Sequence, residues 1–106
     1  MKTDRELLEA AAQAAGMQHK WHADGLMVDE RCGVWNPLTD DGDALRLAVK
    51  IGMEFAADDE ATHCAFAYAR VRGAGDSHIF EPVVDDPCKA MRRAIVRAAS
   101  SLQETK

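Results

Sequence analysis

The feature that most constrains this chain is a stretch that joins a rigid loop to the start of a helix. It reads Trp35-Asn36-Pro37-Leu38-Thr39-Asp40-Asp41-Gly42-Asp43-Ala44-Leu45-Arg46. Pro37 has a fixed φ and disfavours helical backbone at Asn36, while Thr39 or Asp40 can accept the first free N–H groups of a helix. The stretch therefore predicts a loop whose exit direction is set locally, followed by a helix.

This helix is expected to run to about Ile51, with Gly52 as its left-handed stop. Its core-facing positions are predicted to be Leu45, Ala48, Val49 and Gly52, which recur at helical spacing.

The acidic turn of this stretch has two interpretations. Asp40, Asp41 and Asp43 place carboxylates at the positive end of the helix dipole, which favours a capping role. The alternative is a divalent cation, which prefers several carboxylate oxygens. Because the spacing is not that of an EF-hand loop, we favour capping and assign no metal ligand.

Size and composition indicate one globular domain. The chain has 106 residues, of which 47% are hydrophobic and 29% charged, and no repeat or linker divides residues 1–106. The net charge of −5 argues against broad attachment to nucleic acid or anionic lipid. Without a bilayer-spanning apolar run or a signal peptide, we expect a cytoplasmic protein.

The remaining pattern predicts an α+β protein with the element order αββαβββα. Thr3 and Glu6 form a capping box for a first helix that ends at Gly16. Asp24-Gly25 is expected to turn a hairpin whose Trp21 face points inward.

A three-stranded antiparallel meander is predicted over residues 53–57, 63–72 and 77–84, and Pro87 opens the last helix. In the second of these strands Ala65, Ala67 and Ala69 form a small-residue face that suits a close helix. Helices on both faces of one mainly antiparallel sheet would bury these patterns most simply.

Cysteines and histidines do not form a recognisable catalytic or zinc pattern. Cys32, Cys64 and Cys88 are odd in number and lack paired spacing, which favours reduced thiols. We expect Cys64 and Cys88 to pack as small hydrophobic residues rather than act as reactive thiols. Neither a nucleophile elbow nor a phosphate-binding glycine loop is present, so no catalytic residue, cofactor or small-molecule substrate is assigned.

Two groups of residues are candidate interaction sites. The first is the loop Trp35, Asn36, Pro37, Asp40, Asp41 and Asp43, in which Trp35 is either core or an exposed hot spot. The second is a basic face on the last helix, formed by Lys89, Arg92, Arg93 and Arg97. A solvated face is the favoured interpretation of these cations, with nucleic acid or an acidic protein partner as alternatives.

Residues 35–47, together with Arg92-Arg93-Ala94-Ile95-Val96-Arg97-Ala98-Ala99, resemble the phage ABA sandwich domain family of small phage and prophage proteins. The resemblance covers roughly half of the chain, and its first motif is the more specific. It implies a three-layer α/β/α sandwich and a bacterial or prophage origin, and it implies no reaction. We therefore expect a non-enzymatic accessory protein that binds another protein or itself, with nucleic-acid contact through the basic face as the alternative.

Overall fold

The computed structural model of the chain describes residues 3–29, 33–58, 66–71, 79–83 and 86–102. Its elements are α1 (Asp4–Ala14), β1 (His19–His22), β2 (Gly25–Val28), α2 (Asp41–Ile51), β3 (Met53–Asp58), β4 (Phe66–Val71), β5 (Ile79–Pro82) and α3 (Pro87–Ser101). The α+β class and the order αββαβββα are confirmed. The predictions for Cys32 and Cys64, and the outer ends of the second and third meander strands, lie outside the described residues.

The helix ends follow the local sequence signals. Thr3 Oγ1 accepts from the Glu6 N–H at 3.1 Å while Glu6 Oε1 accepts from the Thr3 N–H at 2.8 Å, which completes the predicted capping box. Asp40 and Asp86 are the N-caps of α2 and α3. Gly52 has φ +83°, the left-handed conformation that ends α2.

The described strands form two sheets, so the expectation of a single sheet is wrong. β1 and β2 make a separate two-stranded sheet, while β3, β4 and β5 make a three-stranded antiparallel sheet. The hairpin strands have only four residues each, and they bury the face that bears Trp21, Leu26 and Val28 in the core beside α1. An isolated antiparallel bridge joins Met27 of β2 to Val34 in the loop that follows.

The hairpin turn lies one residue earlier than expected. His22 pairs with Gly25, so the two connecting residues are Ala23 and Asp24. Gly25 has φ +144°, and a Cβ there would lie 2.8 Å from Cγ1 of Val34. Glycine is therefore required at this position by the close approach of the following loop.

Helix α3 packs along one face of the three-stranded sheet, and α1 and α2 pack against α3. Ala67 and Ala69 of β4 are completely buried, which confirms that the small-residue face meets a helix. On the opposite face Phe80 is 55% exposed. A layer of helices on both faces therefore stays a prediction.

The buried face of α2 differs from the one expected. Leu45 is 53% and Val49 71% exposed, and the helix instead buries Asp43, Ala44, Leu47 and Ala48. Both the expected and the observed stripes have helical spacing and share Ala48. The observed stripe prevails because it also turns Asp43 toward the preceding loop, where its carboxylate accepts a backbone hydrogen bond.

None of the helices in the described ranges combines the length and apolar character that crossing a bilayer requires.

Trp35 is 3% exposed and belongs to the core. We expect Trp35→Ala to lower the free energy of unfolding by about 3 to 5 kcal/mol, because it removes a large buried side chain and leaves a cavity. Val49→Ala, at an exposed position, serves as the control and should change it by less than about 0.5 kcal/mol. Urea denaturation of both variants measures the difference, and a Trp35→Ala loss as small as that of the control would contradict the core assignment.

Candidate functional site

The loop from Trp35 to Asp40 is anchored in the interior rather than presented to a partner. Trp35 and Pro37 are buried, and the Trp35 N–H donates to the Leu26 carbonyl at 2.8 Å. The loop is thereby tied to β2. The interpretation of Trp35 as an exposed hot spot is wrong, since its ring fills the core.

A buried carboxylate organises the junction between this loop and α2. Asp43 is 0% exposed, and its Oδ2 accepts the Asn36 N–H at 2.9 Å while its Oδ1 accepts from Arg46 at 2.8 Å. The Asn36 side chain accepts the Leu38 N–H at 3.0 Å. The junction thus satisfies polar groups that its burial withdraws from water.

The three aspartates of the acidic turn differ in their main contacts, although Asp40 and Asp43 both pair with Arg46, at 3.9 and 2.8 Å. Asp40 caps α2 by accepting the Asp43 N–H at 2.8 Å, Asp41 forms an ion pair with Arg92 at 2.6 Å, and Asp43 turns inward. In the described ranges no three His, Cys, Asp or Glu side chains converge as metal ligands would. The capping interpretation is confirmed for Asp40.

The basic face of α3 is engaged with the protein's own acidic groups and carbonyls. Arg92 donates from Nε to the Leu38 carbonyl at 2.8 Å and from Nη1 to Asp41, and its side chain is 15% exposed. These contacts join α3 to the loop and to the start of α2. Because two of its donors are used and it is largely buried, Arg92 offers little to an external anion.

Arg93 and Arg97 join α3 to two other elements. Arg93 donates to Asp4 at 3.1 Å, at the start of α1. Arg97 pairs with Glu81 on β5 and donates to the Phe80 carbonyl at 3.3 Å. Lys89, the remaining cation of the predicted face, is exposed. The four residues therefore do not act as one free basic surface.

An apolar groove lies where α2, α3 and β3 meet. Its volume is about 280 Å³, and its apolar lining comes from Ala44 and Leu45 on α2, Phe55 on β3, and Met91 and Ile95 on α3. The paired Asp41 and Arg92 side chains contribute its polar rim. The groove is smaller than most pockets for drug-sized ligands, which favours side chains of a macromolecular partner over a whole small molecule.

Three large apolar side chains of α2 and β3 reach solvent, and two of them, Leu45 and Phe55, line the groove. Leu45 and Val49 are one helical turn apart on α2, and Phe55 is 37% exposed on β3. We call Leu45, Val49, Phe55 and the groove the α2–β3 patch. Sequence reasoning placed Leu45 and Val49 in the core and so missed this surface. The available signal was in α2 itself. Its apolar residues between Ala44 and Ile51 cover more of the helix circumference than one buried face can use.

Cys88 also lines the groove. It is an exposed free thiol in the first turn of α3, so its expected burial is wrong. The buried arc of α3 includes Ala90, Ala94 and Ile95. Cys88 lies only about 20° from Ile95 around the helix, but it is in the first turn, before the buried residues begin at Ala90.

Asp43→Ala is expected to lower the free energy of unfolding by about 1.5 to 3 kcal/mol, because it leaves the Asn36 N–H without its charged acceptor. Asp41→Ala is the matched control, since that carboxylate also pairs with an arginine but is 69% exposed. Asp41→Ala should lower the free energy of unfolding by no more than about 1 kcal/mol. Equal losses in chemical denaturation would show that burial of the Asp43 carboxylate is not what stabilises the junction.

Comparisons with known proteins identify no relative of this chain. No protein-family model matches the sequence, no curated protein matches it, and no solved structure matches its fold. The resemblance of residues 35–47 and 92–99 to the phage ABA sandwich domain family therefore stays a prediction.

Proposed function

We propose that this chain is a cytoplasmic, phage- or prophage-derived accessory protein that binds another protein without catalysing a reaction. The binding surface is the α2–β3 patch rather than the loop around Trp35. The observation that carries this proposal is the exposure of Leu45 and Phe55 in the lining of one apolar groove, with the exposed Val49 one helical turn beyond Leu45. The compartment rests on the expectation drawn from the sequence, and the origin rests on the family resemblance.

The size of the patch is consistent with a partner that adds further contacts. Scattered exposed apolar residues are normal, but a contiguous group beside a groove is typical of an interaction site. Burying roughly 250 Å² of its apolar surface would contribute about 6 kcal/mol at 25 cal/mol per Å². This is comparable with the cost of association, which is about 4 kcal/mol or more. Backbone or polar contacts must therefore supply the net free energy of binding.

Nucleic-acid contact through the basic face has less geometric support. Arg93 and Arg97 would have to leave Asp4 and Glu81 to reach phosphates, and Arg92 would have to leave a carbonyl and a carboxylate. Each exchange replaces an existing charge pair and gains little. We therefore do not advance this alternative.

The double variant Leu45→Glu/Val49→Glu tests the proposal. Both positions are exposed, so the variant should fold, while two carboxylates in the apolar patch should reduce binding at least about tenfold. Phe80→Glu is the matched control, because Phe80 is also exposed but lies on the opposite face of the larger sheet. The assay combines sedimentation of the pure protein with retention of bacterial-lysate proteins on the immobilised chain.

The wild type and Phe80→Glu should bind alike, either to a retained protein or to themselves. The proposal is contradicted if the wild type is strictly monomeric and retains no protein, or if the double variant binds as well as the wild type.

A further inference from the structure

We draw no further inference here: the strongest candidate, the apolar groove between α2, α3 and β3 with the exposed thiol of Cys88 in its wall, belongs to the site already described, and nothing in the part of the chain that the structure describes shows what covers it.

Discussion

The close approach of α3 to the alanine face of β4 is the constraint on which the rest of the structure depends. Ala67 and Ala69 are completely buried, and α3 contributes its own small buried residues Ala94 and Ala98. Small side chains on both sides allow the helix to lie near the sheet without a void. Helix α3 then offers its remaining surface to α1 and α2, so that one helix contacts most of the fold.

This central position explains why the arginines of α3 are structural. Their guanidinium groups extend from the edges of the buried face toward α1, α2 and β5, and each meets a carboxylate there. Exposed ion pairs contribute little individually, whereas Arg92 also satisfies the Leu38 carbonyl from a largely buried position. With Arg92, Arg93 and Arg97 paired inside the protein and the Trp35 loop buried, the α2–β3 patch is the binding surface that we propose.

Sequence was informative where the determinants are local. The capping box at Thr3, the N-cap at Asp40, the stop at Gly52 and the small-residue face at Ala67 follow from neighbouring residues. Local sequence could not show which face of α2 is buried, because two sets of apolar residues have the same helical spacing. The buried face is the one that directs the Asp43 carboxylate to the Asn36 N–H.

The partners of the arginines depend on tertiary structure. Arg93 meets Asp4 across 89 positions of sequence, so spacing alone showed a basic stripe and not its neutralisation. The α2–β3 patch was missed for the same reason, since the exposure of Leu45 and Phe55 is a property of how α2, α3 and β3 meet.

The most direct measurement of the central constraint is the free energy of unfolding of Ala69→Leu, compared with that of Ala56→Leu, whose position lies on the opposite face of the sheet. The account predicts a loss of about 1 to 3 kcal/mol or more for Ala69→Leu and a clearly smaller change for Ala56→Leu; an Ala69→Leu protein as stable as the wild type would contradict it.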